Sequence, residues 1–381
     1  MTGNKGEWSE VYALIKLLAD GKLYQSDYNL NKDFNNVYEI VKAFKSEGDY
    51  LLEFSIENNI QVIKIKNKES SNIVTFTKEY LHTLTKEALE ELLKSKGRSF
   101  VINSLLSFIK KTEIQSIKAS SKSKADILLR IYDHRLAKES NLGFSIKSLL
   151  GGKSTLFNTG KGNNFIFETT GIPEENLESL NKRTYKSEGS SKPSYRINEL
   201  NKLGIDFKFS SIQSSQLWRN LKMIDGDLPE ILALALLYRY KFKQNTVLGV
   251  SKLLEENDPL NFYENEEQKV HKFYEYKIKK FLVDSALGMT SEKIWCGEYE
   301  SFGGVLIVKE DGDLVCFHIY DFNLFRTYLL NNTAFEQAAT GEDKFNPGNK
   351  DLKAKKKFYY GWFYDEGDKV KIKLNLQIRF T

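Results

Sequence analysis

Residues 143–155 read GFSIKSLLGGKST, and the stretch supports two readings that lead to different folds. Its end, GGKST, has the letters that close a phosphate-cradling loop, the mark of a nucleotide-binding protein. Its start, FSIKS, reads as a strand that delivers a lysine to a metal site, as in a nuclease. A phosphate loop needs the spacing G-x-x-x-x-G-K-[ST], because glycines at both ends let successive backbone amides turn inward on the phosphates. Gly152, Lys153 and Ser154 fit the close of that pattern, but Lys147 stands where its first glycine must be. The loop should also open a helix, and the following STLFNTGKGNN is rich in Gly and Asn without a helical stripe. The strand reading is therefore kept. Gly151, Gly152, Gly160 and Gly162 are read as loop punctuation, where small residues allow a nucleic-acid backbone to come close.

In the strand reading, Ser145 and Lys147 are two residues apart and share one face, while Ile146 points into the core. Just upstream, ADILLRIYDHRLAKESNLGFSIKS (125–148) reads as two apolar strands joined by a polar turn region. If they pair, Asp126 lies beside Ser145 and Lys147. Hydrolysing a phosphodiester at neutral pH needs a divalent ion, carboxylates to hold it and a cation to offset developing charge. Mg²⁺ takes few protein carboxylates and keeps several waters, so acids at neighbouring strand ends suffice. This is an acid-x-lysine arrangement with serine in the acid position, and serine cannot supply the missing charge. The replacement acid is sought at Glu10 or Glu7 on the first helix, or at Glu168 at the end of the strand NFIFE.

Working outward, Glu7 to Leu18 carries a helical apolar stripe, and residues 23–76 shorten to period-two or brief apolar runs (YEIVKAF, DYLLEFSI, IQVIKIK, NIVTF) that predict a small antiparallel sheet. Two helices follow, Thr77 to Lys94 and Ser99 to Lys111, broken at Gly97. Residues 182–196 are polar and read as an irregular basic loop, with Lys182, Arg183, Lys186, Lys192 and Arg196 against the single Glu188. From Ser214 to Gly288 the chain reads as helices, ending in a long one over EEQKVHKFYEYKIKKFLVDSALG; the tail returns to strands, with GGVLIVKEDGDLVCFHIYDF as a hairpin and KVKIKLNLQIRF alternating. The class is α/β in the mixed α+β sense. At 381 residues two lobes are expected, divided as 1–213, with the strand pair and its loops, and 214–381, a helical region followed by a β-rich part that serves recognition or dimerisation.

Composition narrows the partner little, because 56 basic and 51 acidic residues nearly cancel to +5. Any basic surface must come from clustering. There is no signal segment and no apolar run long enough to span a bilayer, so a cytoplasmic protein without a membrane partner is expected. Cys296 and Cys316 are too few for a disulfide scaffold. His82, His134, His271 and His318 lack the spacing of a zinc site.

The N-terminal segment GNKGEWSEVYALIKLLADGKLY (3–24), with DYNLNK (27–32) after it, closely resembles the opening of the HpaII family of type II restriction endonucleases. GFSIKSLLGG fits that family's catalytic region, and the resemblance covers most of the chain. It implies a PD-(D/E)xK restriction-endonuclease-like core, a central mixed sheet flanked by helices, and Mg²⁺-dependent double-strand cleavage at a short palindrome; the name-giving member acts on CCGG. Carried over, Asp126 would be the strand acid and metal ligand, Lys147 the catalytic lysine and Ser145 the variant acid position. Glu10 matches the place where the superfamily often puts an extra acid, Glu7 is one helical turn earlier, and Glu168 is a physically sensible displaced acid. Ala125 replaces the proline of the pattern. The missing acid favours a single metal ion.

The expected partner is double-stranded DNA, cut by a twofold dimer because a double-strand cut needs two active sites. A cognate methyltransferase is expected in the same restriction-modification system without binding this chain. Phosphate contacts are expected from Lys118, Lys122 and Lys124, from Lys153 and Lys161, and from Lys182 and Arg183. SSIQSSQLWRN (210–220) gathers Gln213, Gln216, Trp218 and Arg219. Gln216 and Arg219 there either read bases, or the serines cap a helix whose Trp is core. The competing functions are a nuclease-like protein that binds DNA without cutting and a nucleotide hydrolase using GGKST.

Overall fold

In the computed structural model, which describes residues 1–117, 125–151, 154–169, 172, 177, 179–181, 192–299, 303–337, 361–366 and 369–381, the expected apolar stripe forms α1 (Lys5–Asp20). Asn4 accepts from the Glu7 amide while the Glu7 carboxylate accepts from the Asn4 amide, a capping box, and Gly21 closes the helix at φ 65°. Trp8, Val11, Leu14, Ile15 and Leu18 are buried as the stripe requires. Strands β1 (Lys22–Ser26), β2 (Lys32–Glu47), β3 (Tyr50–Ile56), β4 (Ile60–Lys66) and β5 (Glu69–Phe76) follow, then α2 (Lys78–Lys94), α3 (Asn103–Lys111), β6 (Ile127–Asp133) and β7 (Lys138–Ser148). Beyond them come β8 (Thr155–Phe157), β9 (Asn164–Thr169), β10 (Lys208–Ile212), β11 (Gly304–Val308), β12 (Leu314–His318), β13 (Thr333–Phe335), β14 (Phe363–Glu366), β15 (Lys369–Asn375) and β16 (Ile378–Phe380).

The chain separates into two compact units, one of residues 1–154 and 299–328, the other of 155–298 and 329–381. Each unit is built from two segments of the chain: the first unit's sheet is left after β7, and β11 and β12 return to it before the chain re-enters the second unit at residue 329.

That sheet has nine strands in the order β1-β12-β11-β7-β6-β2-β3-β4-β5, and β1 also pairs with β2, so six of them close into a barrel-like ring. Closure depends on the length of β2. Its first half pairs with β1, its last residues pair with β3, and its other edge holds β6. All neighbours are antiparallel except β1–β12 and β11–β7, so the sheet is mixed, as expected. The strands expected in 23–76 are thus not a separate small sheet but part of this one. The core lies between α1 to α3 and one face of the sheet, where Ile127, Leu129, Phe144, Ile146, Leu306 and Cys316 meet the α1 stripe.

The second unit holds the helices Lys192–Lys202, Ser215–Ile224, Leu228–Lys241, Val247–Asn257 and Phe273–Leu287, with sheets β10-β9-β15-β14 and β13-β16-β8. Three local expectations are corrected. The long helix from Glu266 is two pieces, a 3₁₀ turn Glu266–His271 and the helix from Phe273, because Lys272 sits in the left-handed region at φ 50°. The tail of the C-terminal hairpin, IYDF, leaves the strand and enters a helix, Phe322–Asn331. The basic stretch 182–196 is not irregular throughout, since a helix starts at Lys192. Arg196 in it is fully buried, donating to the carbonyls of Leu180, Asn181 and Gly361 at 3.2, 3.0 and 2.6 Å, and is a structural residue unavailable to a phosphate. Among the described residues no helix is long and apolar enough to cross a membrane.

Candidate active site

β6 and β7 pair antiparallel with Ile127 opposite Phe144, which brings Asp126, one residue before the strand, beside Ser145. The Asp126 amide donates to Phe144 O at 2.9 Å. Its Oδ2 accepts from the Ser145 hydroxyl at 3.1 Å and from the Ile146 amide at 2.6 Å. The serine in the acid position therefore donates a proton to the strand acid and helps fix its rotamer. Phe144 and Ile146 face the core with α1, so by strand alternation Ser145 and Lys147 share the opposite face. Lys147 is half-buried beside Ile307 of β11, and no described residue forms an ion pair or hydrogen bond with its ammonium.

Glu10 and Asp126 line one small cleft together with Val11, Leu14, Phe44, Lys45, Ile117 and Ile127; it encloses about 20 Å³ of water-accessible space, room for one ion or water. Among the described residues no group of three or more His, Cys, Asp or Glu is placed to hold a metal. A site here has two protein acids, and the remaining ligand positions would fall to water, which suits Mg²⁺. Glu7 is accounted for separately, because its carboxylate closes the capping box.

Glu168 is in the second unit, on β9. Lys369 Nζ and Ser210 Oγ donate to its two oxygens at 2.6 and 2.8 Å, and Lys371 Nζ lies 3.3 Å away. The Lys369 and Ser210 hydrogen bonds hold its carboxyl down at about 2. Acting as a metal ligand would require it to give up these partners.

Lys45 was not legible as a site residue. It is paired with Glu47 at 3.3 Å, and its side chain is 14% exposed. Strict alternation from Tyr38 and Ile40 would point Lys42 and Phe44 inward, but the register of β2 against β6 shifts between Ile40 and Lys42. The shift turns Ala43, Lys45 and Glu47 to the core side. Nothing in the run YEIVKAFKSE announces that bulge.

Of the proposed DNA contacts, Lys118, Lys122, Lys124, Lys153, Lys182, Arg183 and Lys186 lie outside the described residues, as does Gly152. Lys161 falls in a 3₁₀ turn, Lys161–Asn163. A Cβ on Gly162 would lie 3.0 Å from the Ser214 Cβ, so internal packing already accounts for that glycine. Gln216 donates to Asn220 Oδ1 at 2.8 Å, and Arg219 is exposed. Ser214 caps the helix as anticipated, accepting from the Leu217 amide, yet Trp218 is not core: it is 43% exposed, with Lys222 Nζ 5.8 Å from its ring centroid. After the glycines the chain enters β8 and not a helix, which removes the phosphate-loop reading of GGKST.

Comparison with known proteins gives the family. A family model described as HpaII restriction endonuclease matches residues 4–380. The chain is 36% identical over 382 aligned residues to the type II restriction enzyme HpaII of Haemophilus parainfluenzae, with 100% of this chain and 98% of that protein covered. No solved structure matches. The class is that of type II restriction enzymes, site-specific deoxyribonucleases. Within it, this chain belongs to the HpaII restriction endonuclease family.

Proposed function

We propose that the chain is a type II endonuclease that hydrolyses phosphodiester bonds of double-stranded DNA at a short palindrome, CCGG or a related sequence, with Mg²⁺ as cofactor, in the cytoplasm and as part of a restriction-modification system. The observation that carries this reading is the meeting of Asp126, Ser145 and the SxK strand at one end of β7, with Glu10 across a one-ion cleft. Asp126 and Glu10 would hold the metal. Ser145 and the Ile146 amide orient Asp126 by hydrogen bonds to one oxygen, which leaves the other for the ion. Bound there, a divalent ion supplies Lewis-acid polarisation of the phosphoryl oxygen and a more acidic water. Lys147 offsets charge that builds on the phosphate in the transition state, and Lys45 offsets the two acids across the cleft. Glu10 is preferred to Glu168 as the replacement acid, since Glu10 lines the cleft that Asp126 lines.

The first unit carries the chemistry, and the second contributes DNA recognition or the dimer contact. Phosphate contact is proposed for Lys122, Lys124, Lys153, Lys161, Lys182 and Arg183, with Arg219 a candidate for base or phosphate contact. A twofold homodimer is the cleaving species, and the methyltransferase acts on the same target without binding the nuclease. Binding without cleavage is the second reading, favoured only by the serine at position 145. Plasmid digestion with and without Mg²⁺ tests both: discrete, metal-dependent fragments support the nuclease, and a shifted but intact band supports the binder. Sequencing the fragment ends gives the target.

A further inference from the structure

We propose that Ser9 and Ser148 form a positioning pair that sets where the helix carrying Glu10 lies along the strand carrying Lys147; the proposal rests on the reading of Glu10, Asp126 and Lys147 as the cleavage site. Ser9, fully buried on α1, immediately precedes Glu10, and Ser148, buried at the end of β7, immediately follows Lys147. Their hydroxyl oxygens are 2.8 Å apart. Ser9 Oγ also lies 2.7 Å from Lys5 O, and the Leu150 amide donates to Ser148 Oγ at 3.2 Å.

Each hydroxyl has one proton, so a single arrangement satisfies every contact: Leu150 N–H donates to Ser148, Ser148 donates to Ser9, and Ser9 donates to Lys5 O. The chain is closed by a second tie, because Lys5 Nζ donates to Leu150 O at 3.2 Å. Two small apolar residues would fill the same interface without buried polar atoms, but they would not select a register. A hydrogen-bonded pair does, since a helix shifted by one residue moves about 1.5 Å along its axis and leaves the buried Ser148 proton without its acceptor. A shift of about 1 Å is enough to matter at a reacting centre. The pair thus fixes the spacing between metal acid and lysine without touching either metal or DNA.

The test compares Ser148→Val with Ser148→Thr, which have the same branched shape and differ in the hydroxyl. Two readouts are taken on the full chain: binding of Mn²⁺ alone, followed by electron paramagnetic resonance, and the Mg²⁺ concentration that gives half the maximal plasmid cleavage rate. We expect Ser148→Val to weaken Mn²⁺ binding and raise the half-saturating Mg²⁺ about tenfold, with Ser148→Thr within about twofold of the unaltered chain. Ser9→Ala should reproduce the valine effect, and combining the two should add little further loss. Equal behaviour of the valine and threonine variants, or a valine variant that only melts earlier with metal binding unchanged, overturns the proposal. If Ser148→Val does not fold, Ser9→Ala decides in its place. Asp126→Ala separates the two levels: unaltered Mn²⁺ binding there refutes the site itself, whereas lost binding there beside normal binding in Ser148→Val refutes only the positioning pair.

Discussion

Asp126 and Glu168 are both acids at the margins of apolar strands, and at the level of sequence either fits a metal site. Their surroundings differ in kind. Asp126 receives hydrogen bonds from neutral groups, a hydroxyl and a backbone amide, both on one oxygen. Glu168 receives two ammonium groups and a hydroxyl across both oxygens. Neutral donors orient a carboxylate and leave its charge available to a cation. Ammonium donors spend that charge on an ion pair, and a metal would have to displace them. The comparison teaches that a ligand acid is recognised less by its position on a strand than by the sign of what already faces it.

The comparison breaks most readily at Asp126. Asp126→Ala should reduce plasmid cleavage by about 10²- to 10³-fold or more, and near-normal digestion would remove the acid from the site. Lys147→Ala should lose a comparable factor while specific binding survives in a gel-shift assay with uncut duplex; loss of binding together with cleavage would mark Lys147 as a DNA contact and not a catalytic cation. Glu10→Gln is expected to cost about 10- to 100-fold, with partial recovery at high Mg²⁺, because it weakens ion binding without removing the lysine. Ser145→Ala should cost about fivefold, the worth of one orienting hydrogen bond.

Glu168→Gln should stay within about threefold of normal cleavage, since its carboxylate is taken up by Lys369, Lys371 and Ser210. A larger loss than in Ser145→Ala would restore Glu168 as the displaced acid. Its signature should lie in pH. The folded carboxyl is held at about 2 against an ordinary 4.5, so its stabilising contribution is complete above pH 4.5 and disappears as pH falls toward 2. Circular dichroism across that window should show the glutamine variant losing less stability on acidification than the unaltered chain.

Much of the candidate site was legible because it is local. Asp126, Ser145 and Lys147 belong to two successive strands joined by a short turn, and period-two alternation fixes which residues share a face. The capping box of α1, which gives the Glu7 carboxylate the Asn4 amide as a partner, was not read from the sequence. Lys45, Trp218 and Arg196 were misread or missed for separate reasons. A bulge with no letter of its own turns Lys45 inward, the outer face of its helix leaves Trp218 in solvent, and carbonyls from distant segments bury Arg196.

By itself the sequence determined α1, the β6–β7 pairing with its Asp and SxK face, the run of helices from Ser215 and the restriction-enzyme family, because these depend on periodicity, caps and contiguous motifs. Only the tertiary structure decided that β11 and β12 return to close a six-strand ring, that each unit is built from two separate segments, and that Glu10 shares a cleft with Asp126. Those outcomes rest on pairings between segments far apart in the chain, such as Gln25 with Cys316 and Lys147 with Ile307. Hydrophobic pattern states that such strands must be buried, but it does not state against which neighbour.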